Sequence, residues 1–516
     1  MNTEKTLKNS MVSVIAQIIT MLFQFVNRRV FIEFLDIEYL GYQTLFGNIF
    51  SLLSVAELGI GNIISFHLYK EIVEKNEEEI GKLMYLYKWL YRIVAVVVLV
   101  AGLGCYFLLP YFVRDAQASW SYLYLIYFLQ LTSVIAGYFL SYKRTIYVAT
   151  QQEYKCVQID LYTTMIIQTV QLILLAILKS YIIYLCLHLS TTMIANIIIS
   201  RKTSKDYPFL NKKYTLARED IKKRNIVKDI INFLVHKISY AIYGGTDNII
   251  ISSFCGIRNV ALYGNYVTVS SSVMNVLFYR LLNPVQATIG NIIYGNRNKD
   301  KLWEQFKVFD VFSFFFASFI GLGFFIFFQP FIQLWMGKDY LLPYSFVILF
   351  SMTIYFQAVW EIVYKYRTVF GDYKQDRNFM IVSAVLNLII SIFGAKFFGI
   401  SGVQFGTLIA YTPIALGRIR FVIKNYFGQS MIKYILRHFS LFFIVISEGI
   451  ISYILTKEMP INISGFLGRI VVWIGVVLSI NTILFYKNVY FREMIRYLRK
   501  AGSIITKKIK KNKINL

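Results

Sequence analysis

The sequence predicts an all-α polytopic membrane protein with 14 transmembrane helices, in which two pseudo-symmetric six-helix lobes are followed by two further helices. Three observations lead to this fold class: the composition, the length of the apolar runs and an internal repeat. Hydrophobic residues make up 57% of the 516 residues and charged residues only 16%, whereas soluble proteins average about 45–50% and about 25%. Because one buried core cannot absorb this excess, much of it must face lipid.

The apolar runs have the length that membrane spans require. A spanning helix needs roughly 20 mostly apolar residues, and the runs are bounded here by charged and turn residues. The predicted helices are 10–34, 39–69, 81–112, 120–142, 155–178, 181–200, 226–253, 260–294, 302–329, 341–364, 377–396, 401–424, 433–456 and 463–486.

Positive charge is concentrated in alternate loops. Segment 201–228 holds ten Lys and Arg residues and the tail from Lys487 is also basic, whereas each loop of the opposite parity carries at most one. Since basic loops are retained in the cytoplasm, both termini are predicted to be cytoplasmic in a multi-pass protein of the cell membrane. The tail is expected to contact anionic lipids; a partner protein or a nucleic acid is the less favoured alternative.

The two halves of the chain resemble one another. Segment 40–54 aligns with 263–277 and segment 142–155 with 364–377, an offset of six helices that gives both copies the same orientation. Transporters built from such parallel repeats bind substrate near the midplane at the repeat interface; the alternative is that duplication only makes a stable bundle. The predicted domains are an N-terminal lobe (1–200), a basic cytoplasmic linker (201–225), a C-terminal lobe (226–425), helices 13 and 14 (426–486) and a basic cytoplasmic tail (487–516).

Polar side chains at membrane depth are costly and usually face a cavity or the bundle interior. On the first helix, Gln24 and Arg28 share one polar stripe, whereas Arg29 points to the opposite side and should extend to the headgroups. The candidate cavity residues are Gln24, Arg28, Asn62, Lys237, Asn275 and Arg280; the candidate gate or coupling residues are Glu57, His236 and Asp247; the candidate cytoplasmic entrance is Arg144, Lys365 and Arg367. The last three are equally well explained as ordinary basic flanks.

The deep charges are mostly cationic, which favours an anionic cargo, since Arg binds phosphate with a planar fork of donors. No paired carboxylates, HExxH, GxSxG or P-loop pattern occurs, so an enzyme is not predicted. The four cysteines are scattered through apolar segments without metal-ligand spacing, and no metal or cofactor is expected.

Several segments carry a resemblance to a known family. NRRVFIEFLDIEYLGYQTLFGNIFSLLSVAELGIGNIISFHLYK (27–70), GTDNIIISSFCG (245–256), FIQLWMG (331–337) and GISGVQFGTLI (399–409) are similar to segments of the Gram-positive oligosaccharide flippases, part of the superfamily of multidrug, lipid and polysaccharide exporters. Asp36 and Glu71 depart from the pattern, and both lie in predicted turns.

The resemblance implies two six-helix lobes in a V plus two additional helices. It also implies translocation of undecaprenyl-diphosphate-linked oligosaccharide to the outer leaflet by alternating access, in cooperation with other polysaccharide assembly proteins. The cavity arginine of the family falls on Arg28, which the helical pattern selects independently. A lipid II flippase, a multidrug or cation exporter and, less favoured, a membrane transferase are the alternatives.

Aligning the lobes at Leu35-Asp36 and Cys255-Gly256 places Asn27 and Arg28 opposite Asp247 and Asn248, so opposite charges occupy neighbouring equivalent positions in the two lobes. We expect these two charges to pair when the outer side is closed; the alternative is that each is satisfied within its own lobe.

Overall fold

The computed structural model describes residues 3–54, 57–215, 241, 244–279, 285–286, 288–290, 292–293, 298–370, 373–496 and 499. These residues are helical with short connections and contain no β-strand. Among them, nine helices are long and apolar enough to cross a membrane, or ten if a pair bent by 41° is counted as one span. The predicted fold class, an all-α polytopic membrane protein, is confirmed.

The α-helices of the described residues are numbered here in chain order. They are α1 Thr3–Phe34, α2 Ile37–Leu53, α3 Glu57–Val73, α4 Glu77–Tyr106, α5 Leu109–Phe112, α6 Trp120–Ser141, α7 Arg144–Ala149, α8 Tyr154–Leu178, α9 Tyr181–Asp206, α10 Asp247–Cys255, α11 Ile257–Val273, α12 Lys299–Trp335, α13 Tyr344–Val359, α14 Glu361–Phe370, α15 Tyr373–Ile419, α16 Met431–Thr456 and α17 Ile463–Phe485. π-helical turns extend α11 over Met274–Tyr279 and α15 over Arg420–Tyr426.

The described helices divide into two compact units. The first comprises Met1–Thr268 with Ser391–Val403, and the second comprises Val269–Ile390 with Gln404–Leu516. The predicted domain boundaries stay a prediction.

Polar caps fix where several helices begin. The Asp36 carboxylate accepts from the Glu38 backbone N–H at the start of α2, and the Asn298 side chain accepts from two N–H groups of α12. The Ser430 and Asn462 side chains do the same for α16 and α17. Such caps satisfy amide groups that would otherwise lack a partner in the first turn, and each contributes roughly 1 kcal/mol.

The structure differs from the predicted helices mainly where a helix bends or breaks. The predicted helix 39–69 forms two helices, α2 and α3, and the predicted helix 341–364 is bent between α13 and α14. Apolar runs lie on both sides of each boundary, and the glutamates at which α3 and α14 begin, Glu57 and Glu361, did not divide the predicted helices.

The predicted helices 377–396 and 401–424 meet within α15, at Gly399. This residue has φ 58° and ψ −141°, a conformation that side-chain-bearing residues rarely adopt. On either side of the break the backbones approach closely, because a Cβ on Gly394 would collide with the Gly402 carbonyl oxygen. The glycines therefore permit both the turn and the contact between its two arms.

Gly394→Ala should destabilise this turn, because the added methyl group meets backbone that cannot rotate away. We expect a loss of about 1–3 kcal/mol, the usual cost of overpacking, measured as a lower thermal midpoint of the detergent-solubilised protein. Gly475→Ala on α17 is the control, since a Cβ there meets nothing within 4 Å. Equal midpoints for the two variants would contradict the close approach.

Candidate functional site

Arg28 lies in the apolar helix α1, and its guanidinium contacts α11. Nε donates to the Asn265 side-chain oxygen at 2.5 Å, Nη2 to the Ala261 carbonyl at 3.1 Å, and Nη1 approaches the Thr268 hydroxyl at 3.5 Å. All four residues belong to the first compact unit. Arg28 is more than 230 residues away from these partners in the sequence. The sequence alone therefore gives no indication of these contacts.

Space for the guanidinium is made by a glycine. A Cβ on Gly264 would lie 2.8 Å from Arg28 Nη2, closer than ordinary contact. One turn further along α1, Phe31 packs edge-on against Tyr184 and Tyr181 of α9, with ring centroids 4.8 and 6.1 Å apart. The guanidinium therefore lies against Gly264 of α11 and within electrostatic range of Tyr184, one member of this aromatic cluster.

The charge of Arg28 is met by neutral groups. In the described part of the chain its hydrogen-bond partners are an amide oxygen, a carbonyl and a hydroxyl. Such acceptors orient a guanidinium without cancelling its charge. A cation held this way in an apolar helix attracts an anion, and its fork of donors suits phosphate oxygens.

The neighbours of Arg28 on α1 differ in exposure. Asn27 is buried and its side-chain oxygen has no hydrogen-bond partner in the described residues, whereas Gln24, one turn earlier, is exposed. Arg29 is exposed and pairs with Glu33 at 3.3 Å, which places it away from Arg28.

Asp247 begins α10 and is buried. One carboxylate oxygen lies 3.5 Å from the hydroxyl of Tyr263. Tyr263 belongs to α11, the helix that the Arg28 guanidinium contacts. Pairing of Asp247 with Arg28 stays a prediction.

Other predicted site residues divide into two groups. Asn275 is exposed in the π-helical turn that follows α11. His236, Lys237 and Arg280 lie outside the described residues, as do the side chains of Glu57 and Asn62.

Arg144, a predicted entrance residue, is held by a carboxylate in the first unit. Its two terminal nitrogens each donate to Asp160 at 2.7 Å, and Nε donates to Asn196 at 2.7 Å. The neighbouring Lys143 donates to Ser204, and its partial burial together with the nearby Lys88 lowers its pKa. The bidentate geometry indicates that Arg144 joins α7, α8 and α9.

Arg367, aligned with Arg144 in the repeat, is also held by a carboxylate. Arg367 and Arg418 both pair with Asp376, at 3.1 and 3.0 Å, and all three are largely buried. Lys365 pairs with Glu361 one turn away at 3.2 Å. These pairs together contain two acids and three cations, so the five named residues carry one formal positive charge in excess.

The structure also contains buried charges that the sequence analysis did not select. Asp310 of α12 contacts Tyr434, Arg437 and His438 of α16, and Glu448 of α16 is fully buried. The signal was a carboxylate well inside each predicted helix: Asp310 in 302–329, which also contains Glu304 near its start, and Glu448 alone in 433–456. No group of three or more potential metal ligands occurs among the described residues.

The long apolar helices define a polytopic membrane protein. Its α15 is broken at Gly399, and its α1 carries an arginine that contacts another helix. No family model matches the sequence, and no curated protein matches it. Solved structures do show similarity. "Lipid II flippase MurJ, inward closed conformation" matches with a TM-score of 0.67 and 16% identity, over 93% of this chain and 98% of that one.

Two MATE transporters match as well. An inward-facing MATE transporter of the MOP superfamily gives a TM-score of 0.55 and 14% identity over 79% of this chain and 98% of that one. A point mutant of the Vibrio cholerae MATE transporter VcmN gives 0.51 and 14% over 85% and 98%. The chain therefore shares its fold with these three transporters.

Asp376→Asn should strongly destabilise the second unit, because it leaves Arg367 and Arg418 without the carboxylate that both contact. Breaking a buried pair in this way costs about 3–5 kcal/mol, which should appear as a lower thermal midpoint. Asp339→Asn, at an exposed position, removes the same charge and should change the midpoint little. Equal thermal midpoints for the two variants would show that the ion pairs of Asp376 do not contribute to the free energy of unfolding.

Proposed function

We propose that the protein is a flippase that moves undecaprenyl-diphosphate-linked oligosaccharide repeat units from the inner to the outer leaflet of a bacterial cell membrane, for capsule or exopolysaccharide assembly. The observation that carries the proposal is Arg28, a cation inside an apolar helix whose described partners are neutral. Its role is to attract the diphosphate.

The physical task requires such a group. A diphosphate with attached sugars cannot cross about 30 Å of hydrocarbon unaided, because an unpaired charge in an apolar medium is very costly. The protein must supply a polar, cationic path while the prenyl chain stays in lipid. Alternating access, in which the two repeats of the fold rock about a midplane site, supplies that path without opening a continuous pore.

The class of substrate is supported by two likenesses of different kinds. The sequence segments described above resemble oligosaccharide flippases, and the fold is similar to that of a protein described as a lipid II flippase. Both likenesses indicate a lipid-linked cargo. Lipid II itself is the second candidate, since its diphosphate would use the same arginine.

A multidrug or cation exporter is less well supported, although it shares the fold. A cationic drug would be repelled by Arg28, whose described partners bring no negative charge to it. A membrane transferase would need a catalytic pair, and the sequence offers no motif for one.

The proposed setting follows from the charge pattern. Both termini lie in the cytoplasm, where the basic segments contact anionic lipids. Other polysaccharide assembly proteins would deliver the lipid-linked unit on this side and take it up on the other.

Deleting the gene separates the three transport functions. Loss of capsule or exopolysaccharide with normal growth supports the proposal, loss of viability supports a lipid II flippase, and drug sensitivity alone supports a multidrug exporter. In proteoliposomes, the same question is answered by the fraction of prenyl-diphosphate oligosaccharide that a membrane-impermeant glycosidase can reach.

Arg28→Gln should reduce flipping in that assay, because the amide cannot make the charged, forked contact with a diphosphate. Hydrogen bonds to charged groups contribute about 1.5–3 kcal/mol, so the apparent affinity should fall roughly ten- to hundredfold. The matched control is Arg29→Gln, at the next position, where the side chain is exposed and paired with Glu33. Equal activity of the two variants would refute the role of Arg28.

The expected pairing of Arg28 with Asp247 has its own test. Each single neutralisation, Arg28→Gln or Asp247→Asn, should impair transport, and the exchange Arg28→Asp with Asp247→Arg should restore part of it if the charges form a gate. No recovery in the exchanged variant, with normal amounts of folded protein, would eliminate the gate while leaving the diphosphate role of Arg28 intact.

A further inference from the structure

Two buried carboxyl groups lie where α16 packs against α12. Glu448 is fully buried; Ser318 of α12 donates to one of its oxygens at 2.9 Å, and Asn481 of α17 donates to the other at 2.5 Å. Asp310, eight residues before Ser318 and so about 12 Å away along α12, is also fully buried. The helices α16 and α17 correspond to the two helices predicted to lie outside the repeat.

The two carboxyl groups have different partners. Asp310 receives the Tyr434 hydroxyl at 2.7 Å, Arg437 at 2.9 Å and His438 Nε2 at 3.2 Å. The described contacts of Glu448 come from a hydroxyl and an amide, both neutral. The negative charge of Asp310 is therefore balanced by a cation, Arg437, whereas a negative charge on Glu448 would have no cation among its described contacts.

The surroundings of Glu448 make the uncompensated charge costly. An apolar pocket of about 390 Å³ adjoins the next residue, Gly449, and is lined by Gly321, Phe325, Phe442 and Tyr355 among others. With hydrocarbon side chains on one flank and no described cation in contact, the neutral carboxylic acid is the form that avoids the desolvation penalty.

Polar groups without partners lie along the same interface. Tyr355 of α13 is within electrostatic range of both Glu448 and Asp310, and its buried hydroxyl has no hydrogen-bond partner in the described residues. His438 Nδ1 is also buried and unpartnered there, although its other ring nitrogen contacts Asp310. These are groups that can accept and pass on a proton.

We propose that Glu448 is a proton-binding site and that Tyr355 and the Asp310–His438 pair continue from it toward the predicted cytoplasmic ends of α12 and α16. Because the Tyr355 hydroxyl makes no hydrogen bond to Glu448 or His438 among the described residues, a water on each side would relay the proton: Tyr355 accepts the proton that leaves Glu448 as it gives up its own, and His438 takes the released proton beside Asp310. Each step transfers one proton, so Tyr355 carries no lasting charge. Resting on the proposed flippase function, the inference is that inward proton movement through this path drives outward movement of the anionic cargo.

A bound sodium ion fits the same residues less well. The Asn481 amide nitrogen donates both to Glu448 and to the Val477 carbonyl at 3.0 Å, which fixes the orientation of the amide. A donor nitrogen, not the amide oxygen, therefore faces the carboxyl group. A cation would have to displace that donor, whereas a proton on Glu448 would not.

The first test needs no transport. In lipid-reconstituted full-length protein at neutral pH, the infrared C=O stretching band of a protonated carboxyl should be present, and Glu448→Gln should remove its contribution. Glu458→Gln, just beyond α16 with an exposed side chain, should leave the band unchanged. If Glu448→Gln does not fold, Glu448→Asp should shift the band. A band unaltered by a folded Glu448 variant would overturn the proposal.

The second test addresses coupling. An imposed inward proton gradient should accelerate flipping in the wild type by about tenfold, a factor within the usual range of coupling between sites, and should have little effect on Glu448→Gln. Acceleration of Glu448→Gln equal to that of the wild type would overturn the proposal. Absence of flipping in the wild type would refute the proposed flippase instead, while the infrared result would still decide whether Glu448 binds a proton.

Discussion

The cost of placing charge in hydrocarbon is the constraint on which the rest of this structure depends. Several buried charges among the described residues are compensated by an opposite charge: Arg367 and Arg418 have Asp376, and Asp310 has Arg437. Arg28 and Glu448 are met by neutral groups in their described contacts. Compensated pairs hold helices together, whereas a charge met only by dipoles retains a field that a ligand can complete. Arg28 and Glu448 are the candidate transport groups, whereas Arg469, whose described partners are also neutral, holds backbone carbonyls at the turn between α16 and α17.

The amino-acid pattern predicted the fold class well, because lipid imposes it residue by residue. Each span needs a long apolar run, and helices such as α6, α8, α16 and α17 begin and end within a few residues of the predicted positions. The end of α2 at Leu53 was not predicted in this way, since the apolar runs before and after it are long enough together to suggest one helix. At Gly399 the prediction succeeded, because a glycine punctuates the run and the backbone there needs a positive φ.

The site was predictable only in part, because the contacts that build it join residues far apart in the sequence. Helical periodicity on a single helix separates Arg28 from Arg29, and the structure places them in different surroundings. This periodicity cannot indicate that Asn265 accepts a hydrogen bond from the Arg28 guanidinium, or that Ser318 and Asn481 donate to Glu448. These partners lie on helices distant in sequence. The repeat aligns arginines at 144 and 367 but not the spacing to their carboxylates, 16 residues in one lobe and nine in the other.

Separate groups for cargo and for protons make physical sense for a transporter of anions. If the proton site were in contact with the diphosphate, protonation would strengthen cargo binding by adding positive charge, and release would then be opposed by the same step that supplied the energy. If Arg28 binds the cargo and Glu448 the proton, the two ligands bind to residues of different compact units, and each would act on the other through the conformations it favours. Such coupling is reciprocal, so the cargo must change the proton affinity of Glu448 by the same factor by which the proton changes the affinity for cargo. The helices outside the repeat would then contribute more than a longer membrane-facing surface, because they would carry the group through which the proton gradient acts.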